Sequence, residues 1–279
     1  MGFLRVIELF PPVFSAGRRG PLRAGPTVEA WVKGAAAARA SSDLFLVANL
    51  KKPELLKMST LEASRLLQER LRAAACPVIV VRDLNRPEFL SSIITAISLG
   101  LNSVMVAWGD EYPKSAKATS VRDFPTLADA VHQASLLRRR AGASVRIFAP
   151  VDLDSLAYPK GVSLARGRLR AGADLLLAQP PTSDPGETFE RHASLVSRAG
   201  LSERVLLNVF PFRNAKDLRA CEKYFGWKLP RRLHQEASAG EGELEKSARM
   251  VVRRLRREGF PGVYLSTRGE PRVATRLLA

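Results

Sequence analysis

Short apolar segments alternate with helical segments along nearly all of the 279 residues, and this alternation constrains the fold more than any other feature. Runs rich in Val, Ile, Leu and Phe that are bounded by turn residues are typical of buried parallel strands. Eight such strands are predicted, at the start of residues 5–12 and at 43–48, 77–81, 103–107, 144–149, 174–178, 204–209 and 263–265. The pattern predicts one (β/α)8 TIM barrel domain over residues 1–279.

The alternative fold is an open, doubly wound α/β sheet. It is disfavoured because no strand is followed by a Gly-x-Gly-x-x-Gly motif or a P-loop. Between the strands, residues 15–26 are rich in Gly, Arg and Pro and predict a loop, after which Thr27 is expected to cap the first helix. Ser59 and Glu62 predict a capping box at the next helix.

Glu8 interrupts the apolar run of the first strand, just before Pro11 and Pro12 end it. A carboxylate in an apolar strand is costly unless it is paired, hydrogen-bonded or protonated. In sheets that alternate with helices, ligands bind at the carboxyl ends of the strands. Glu8 is therefore predicted either to form a structural ion pair with an arginine or to belong to a site.

Other polar residues also follow predicted strands, and a barrel would bring them to one rim. They are Asn49, Asp83, Asn85, Asp110, Gln179, Asn208 and Arg268. None of the three histidines falls at a strand end, and the two cysteines are isolated in sequence. Neither a metal site nor a disulfide is therefore predicted, which leaves acid–base chemistry or an organic cofactor.

The net charge of +17 and the pI near 10.7 suit an anionic ligand, nucleic acid or an acidic membrane surface. Few aromatic residues accompany the basic clusters at 138–140 and 253–257, so solvated helix faces are favoured over a nucleic-acid site. No apolar stretch of the sequence reaches membrane-spanning length, and no signal peptide is predicted. A cytoplasmic protein is expected.

Taken together, the strand-end segments resemble those of methylenetetrahydrofolate reductases. The matching segments are Glu8-Leu-Phe-Pro-Pro, Arg82-Asp83-Leu84-Asn85, Gly109-Asp110, Ala171-Gly-Ala-Asp-Leu-Leu-Leu-Ala-Gln179, Asn208-Val-Phe-Pro-Phe-Arg-Asn214, Leu229-Pro230 and Gly262-Val-Tyr-Leu-Ser-Thr-Arg268. The resemblance implies a flavin-dependent (β/α)8 barrel that reduces 5,10-methylenetetrahydrofolate, or a related modified pterin, to the 5-methyl form. It implies FAD as cofactor and NAD(P)H as co-substrate.

The resemblance also implies roles for single residues. Glu8 would be the acid that opens the methylene bridge, and Asp110 would lie near flavin and pterin. Gln179 would hydrogen-bond the pterin edge, and Arg268 would pair with the glutamate tail of the folate. Cys221 would lie in the substrate site, at a position where the family has an aromatic residue. The flavin would lie beside Asn49, Trp108, Gly109, Asp110 and Arg168.

Departures from the family pattern concentrate in the expected flavin site. Residues 78–81 are Val-Ile-Val-Val where the family often has His-Leu-Thr-Cys, and Trp108 replaces an arginine or threonine. The segment 150–159 is shorter than in the family and lacks its histidine. Two functions therefore stay open: a flavin-dependent reductase, and a flavin-free pterin-binding protein of the same fold. The latter would act with a partner subunit, and the family's tendency to associate also allows a homo-oligomer.

Overall fold

The predicted strands form a sheet that closes on itself in the computed structural model, which describes residues 2–14, 24–49, 56–109, 123–240, 242–267 and 270–278. The eight strands are β1 Leu4–Leu9, β2 Leu44–Val47, β3 Ala75–Val80, β4 Ser103–Ala107, β5 Arg146–Asp152, β6 Leu175–Gln179, β7 Val205–Val209 and β8 Gly262–Leu265. Each strand pairs in parallel with the next, and β8 pairs in parallel with β1. The (β/α)8 barrel is confirmed, and the open sheet is wrong.

Helices connect successive strands and surround the barrel. They are α1 Ala24–Ala36, α2 Thr60–Leu71, α3 Arg86–Ser98, α4 Leu127–Arg140, α5 Pro159–Arg170, α6 Glu187–Arg198, α7 Ala215–Phe225, α8 Arg231–Ala239, α9 Glu243–Arg257 and α10 Arg272–Leu278. A short antiparallel pair joins Val13–Phe14, after β1, to Leu56–Lys57, after β2. No helix in the described part of the chain is long and apolar enough to cross a bilayer.

Alternating residues of each strand belong to two different apolar clusters, as the two-residue period of a strand requires. One face of each strand packs against the helices in the larger cluster, as Ile7 and Leu9 of β1 do. The other face fills the barrel interior with Val6, Leu44, Leu46, Cys76, Val78, Val80, Met105, Phe148, Leu175, Leu177, Leu206 and Tyr264. A strand residue that lies two positions before or after a member of this inner cluster therefore also faces the barrel interior.

The capping box predicted at Ser59 and Glu62 is formed only in part. Ser59 Oγ accepts a hydrogen bond from the Glu62 backbone N–H (3.1 Å), although the Glu62 carboxylate binds Arg65 and does not complete a capping box. Asn85 likewise caps α3, and Thr126 forms a full capping box on α4. Each of these caps joins atoms that are at most three residues apart in the chain.

Several elements differ from the predictions. Thr27 is not a helix cap, because α1 begins at Ala24 and so includes Pro26 in its first turn, where a missing N–H costs nothing. Strand β5 continues beyond Ala149 to Asp152, since Pro150 to Asp152 stay in register with β6. Helix α8 was not predicted, because Leu233 is its only buried apolar residue and leaves no periodic pattern. Residues 15–23 of the predicted loop lie outside the described residues.

Candidate functional site

A cavity of about 320 Å³ lies at the carboxyl ends of the strands, at the mouth of the barrel. Its volume falls at the lower end of the range for small-molecule sites. One wall is apolar and comes mostly from the inner faces of β2, β3 and β4. The remaining lining carries the groups capable of chemistry, which are Glu8, Asn49, Arg82, Trp108 and Tyr264, together with Gly109 and Pro150.

Glu8 faces this cavity because it lies two residues after Val6, a member of the inner cluster. Its Oε1 accepts a hydrogen bond from the hydroxyl of Tyr264. Burial raises the pKa of Glu8 above the usual glutamate value, and hydrogen bonds from Tyr264 and Ser266 offset part of that rise. Glu8 is thus not paired with an arginine through any contact that the structure describes. Its surroundings favour the protonated, neutral form of the carboxyl group.

Tyr264 was not identified as a site residue from the sequence. The signal for it was present, because the alternation of β8 turns residue 264 inward while Val263 and Leu265 face the helices. Its partner could not be known, since Glu8 lies 256 residues away in the chain. Burial, together with the neighbouring Glu8 carboxyl, raises the pKa of Tyr264 well above its usual value, so Tyr264 remains a hydrogen-bond donor at neutral pH.

The raised pKa of Glu8 makes stability depend on pH, and Glu8→Gln should remove that dependence. The folded state holds this proton more tightly than the unfolded chain, so the protein loses stability as pH rises from the usual glutamate value through the raised pKa. The free energy of unfolding of Glu8→Gln, relative to the wild type, should therefore increase across this window. Urea denaturation at pH values between about 4 and about 8 measures the difference, and a constant difference would contradict a raised pKa.

Three of the residues expected beside a flavin, Asn49, Trp108 and Gly109, line the cavity together with Glu8. Asn49 Oδ1 accepts a hydrogen bond from Lys57 Nζ (2.6 Å), and the Trp108 carbonyl accepts one from the Arg82 backbone N–H (3.0 Å). Gly109 has a positive φ of 85°, and a Cβ added there would lie 2.3 Å from Val80 Cγ1. The glycine is therefore explained by its backbone and by Val80, without a cofactor.

Arg168 does not join these residues. It is half-buried on α5, outside the residues that line the cavity, and its Nη1 donates a hydrogen bond to the Pro150 carbonyl (2.6 Å). Burial lowers the pKa of Arg168 from the usual arginine value. Asp110, the remaining flavin candidate, lies outside the described residues.

The residues expected to bind the folate are separated in the structure. Gln179 ends β6 and faces inward, two residues after Leu177 of the inner cluster. Cys221 is buried instead in a separate apolar cluster with Phe210, Phe212 and other residues around α7 and α8. Arg268 lies outside the described residues. Gln179 is thus the folate candidate that the structure brings to the rim with Glu8.

Asn208 is an inward-facing rim residue that the sequence indicated only as one of several strand-end polar groups. It lies two residues after Leu206 on β7, in register with Tyr264 on β8. Continuing the register of β6 with β7 puts Gln179 at the same level. Tyr264, Asn208 and Gln179 therefore form a polar row across three neighbouring strands, just below Glu8.

The segment 181–184 packs beside this row and is buried. Thr182 N–H donates to the Asn208 carbonyl (2.6 Å), and Thr182 Oγ1 lies 2.8 Å from His192 Nδ1. Burial, assisted by the charge of Arg191, lowers the pKa of His192 to about 4, so this imidazole is neutral at physiological pH. The contact of His192 with Thr182 holds the segment after Gln179 in place. In the described part of the chain, no group of three or more His, Cys, Asp or Glu residues could hold a metal ion.

Comparisons with known proteins bear on the fold and the family of this chain. A search of curated proteins finds no match to the sequence. Among solved structures, an uncharacterised protein from Clostridium thermocellum shares the fold, with a TM-score of 0.64 and 11% sequence identity. The match covers 99% of this chain and 93% of that chain. That protein binds two copies of 5-methyl-5,6,7,8-tetrahydrofolic acid. Oxaloacetate acetylhydrolase is also similar, with a TM-score of 0.53 and 15% identity over 95% of this chain and 75% of that chain.

At these identities the two structures establish the fold alone. The sequence itself carries the assignment, because the family model described as methylenetetrahydrofolate reductase matches residues 50–265, well over half of the chain. That match runs from the segment after β2 through β8. Together with the closed parallel barrel, it shows that this chain belongs to the methylenetetrahydrofolate reductase family.

Proposed function

We propose that this protein reduces 5,10-methylenetetrahydrofolate, or a related methylene-bearing reduced pterin, to the 5-methyl form. The observation that carries the proposal is Glu8, an inward-facing carboxyl with a raised pKa that is hydrogen-bonded by Tyr264 in the cavity at the barrel mouth. Family membership supports the same reaction. The folate bound by the structurally similar Clostridium thermocellum protein is consistent with a pterin ligand on this fold.

Glu8 supplies the proton in this reaction. Burial keeps it protonated at higher pH than an ordinary glutamate, which suits a general acid. The proton goes to a nitrogen of the methylene bridge, and the C–N bond to that nitrogen breaks with its electron pair. The remaining methylene carbon forms an iminium with the other nitrogen. A hydride then adds to that carbon, so one proton and one hydride convert the bridge into a methyl group and an N–H.

Tyr264 orients the acid and stabilises the charge that the proton transfer leaves behind. Its hydroxyl donates to Glu8 Oε1, and this bond becomes stronger when Glu8 is an anion. Gln179, on the same rim, is proposed to hydrogen-bond the pterin. The apolar wall formed by Leu46, Val78 and neighbouring residues would contact the reacting part of the folate and offer it no polar group.

FAD is proposed as the hydride carrier, with NAD(P)H as its reductant. The side chain of Asn49, the ring of Trp108 and the backbone of Gly109 would hold the flavin ring; this assignment is supported by their place in the cavity lining beside Glu8 and the apolar wall. When bound, the flavin would accept a hydride from NAD(P)H and pass it to the folate.

A flavin-free pterin-binding protein is the second candidate function. It is favoured by the arrangement of Arg168, whose guanidinium binds the Pro150 carbonyl and lies outside the cavity lining. It is also consistent with Val80 occupying the space beside Gly109. In this case the folate site at the rim would remain, and the protein would carry its ligand to a partner subunit.

The absorbance spectrum of the purified protein separates the two functions. A bound oxidised flavin absorbs at about 450 nm, and NAD(P)H should bleach that band while added 5,10-methylenetetrahydrofolate restores it. This cycle is the expected result. A colourless protein that takes up neither FAD nor FMN, yet binds 5-methyltetrahydrofolate, would replace the reductase with the carrier. A protein that binds no reduced folate would contradict both.

A further inference from the structure

Two amide side chains in the polar row have buried atoms without partners. Asn208 is completely buried, and neither its Oδ1 nor its Nδ2 has a hydrogen-bond partner among the described residues. The Oε1 of the half-buried Gln179 is in the same state. Burying such atoms unpaired is unfavourable, and most buried polar groups in proteins are hydrogen-bonded. Three unpaired atoms on neighbouring strands of one rim therefore require a reason.

The fold does not supply that reason. Asn208 lies on the inner face of β7, where the preceding inward residue is Leu206, so an apolar side chain would suit the same environment. Its backbone carbonyl already binds Thr182, which means that the side-chain amide is not needed to hold that segment. The unpaired amide therefore lowers the stability of the ligand-free protein.

We propose that Asn208 is a specificity-determining residue which, with Gln179, binds the amide edge of the reduced pterin. This inference rests on the proposed function and names a residue of the same site. The three unpaired atoms are two acceptors, Oδ1 and Oε1, and one donor, Nδ2. The pterin edge presents the matching set, because its 2-amino group and N3–H donate while its 4-oxo group accepts. Asn208 offers one donor and one acceptor whichever way its amide is turned, since both of its polar atoms are unpaired.

The position of the pair is also suitable. Side chains on neighbouring strands start about 4.8 Å apart, which allows both amides to reach one flat edge. Asn208 lies between Tyr264, which lines the cavity, and Gln179, which is already partly exposed. Asn208 is fully buried and neither amide lines the cavity, so binding of the pterin edge requires the Gln179 side chain to rotate away from Asn208. The pterin edge then lies on β6 and β7, while the methylene bridge points towards Glu8 on β1.

The test is Asn208→Leu, which replaces the amide by an apolar group of similar size. Isothermal titration with 5-methyltetrahydrofolate should show about 10- to 100-fold weaker binding, because hydrogen bonds to a buried edge are lost. The ligand-free variant should also melt about 2–4 °C higher than the wild type, since an unpaired buried amide has been removed. A purely structural asparagine would give the opposite change in melting temperature.

Ser103→Ala is the matched control. Ser103 is also completely buried with an unpartnered hydroxyl among the described residues, but it begins β4, at the end of the barrel opposite the cavity mouth. This variant should bind the folate as the wild type does. Asn208→Ala should weaken binding as Asn208→Leu does, which separates lost hydrogen bonds from a clash between leucine and the ligand.

Each other outcome overturns the inference in a distinguishable way. If the wild type does not bind 5-methyltetrahydrofolate, the proposed function fails and the inference fails with it. If the wild type binds and both Asn208 variants bind equally well, the inference alone fails. A lower melting temperature, or failure of both variants to fold, would assign Asn208 a structural role. Weaker binding of NAD(P)H with unchanged folate binding would assign the amide pair to the nicotinamide carboxamide.

Discussion

Glu8→Gln is expected to lower the rate of folate reduction by about 100-fold or more, because it removes the general acid and retains its shape. Glutamine is similar in size and can still accept a hydrogen bond from Tyr264, so the cavity should keep its form. The reduction of bound flavin by NAD(P)H does not need this proton and should persist. Stopped-flow measurement of the two half-reactions separates these effects. If Glu8→Gln matched the wild type in both half-reactions, Glu8 would not be the acid.

Two further variants make this result specific. Glu69→Gln changes an exposed carboxylate on α2, outside the cavity lining, and should leave both half-reactions unchanged. Tyr264→Phe removes a hydrogen bond that lowers the pKa of Glu8, so the pKa of Glu8 should rise further. The loss of folate reduction at high pH, which reports deprotonation of the acid, should then occur at higher pH. A shift to lower pH would contradict the role assigned to Tyr264.

Gly262→Ala should cost about 3 kcal/mol or more of folding free energy, because it introduces a backbone clash where the barrel closes. Gly262 begins β8, and a Cβ added there would lie 2.1 Å from the Leu4 carbonyl oxygen and 2.8 Å from the Leu4 Cβ. Leu4 and Gly262 are register partners in the pairing of the first and last strands. Neither backbone can move without disturbing that pairing.

Gly167→Ala is the control for this prediction. Gly167 lies within α5, and no heavy atom comes within 4 Å of a Cβ added there. Alanine should stabilise the helix by about 0.5–1 kcal/mol. Urea denaturation of both variants at neutral pH provides the comparison. If Gly262→Ala lowered the free energy of unfolding by no more than about 1 kcal/mol, the contact between β1 and β8 would be able to relax.

Much of the architecture could be predicted from the sequence because its causes are local. Apolar runs of strand length, separated by segments of helical length, are sufficient to indicate a parallel sheet. The Ser59 cap of α2 depends on atoms three residues apart, and the predicted bond from the Glu62 backbone N–H occurs. The errors fell where local signals were weak or misleading, as at Pro26 in the first turn of α1 and in the mostly polar helix α8.

The site could be predicted only in part. The strand-end rule is enough to put Glu8 on the ligand-binding rim, but its inward direction was seen only in the structure, because apolar residues occupy both faces of β1. The same reasoning brought Gln179 to that rim. It could not show that Arg168 turns to the Pro150 carbonyl or that Cys221 joins Phe210 and Phe212, because these contacts depend on how separate helices pack.

The sequence by itself therefore determined the (β/α)8 fold, the position of Glu8 near the carboxyl end of the first strand and the family to which the chain belongs. Only the tertiary structure decided which groups meet at the rim. Closure of β8 on β1 brings Tyr264 to Glu8 across 256 positions, and it buries Asn208 with its amide unpaired. Burial and long-range pairing set both the pKa of Glu8 and the cost of that amide, and neither can be read from residues that are neighbours in the chain.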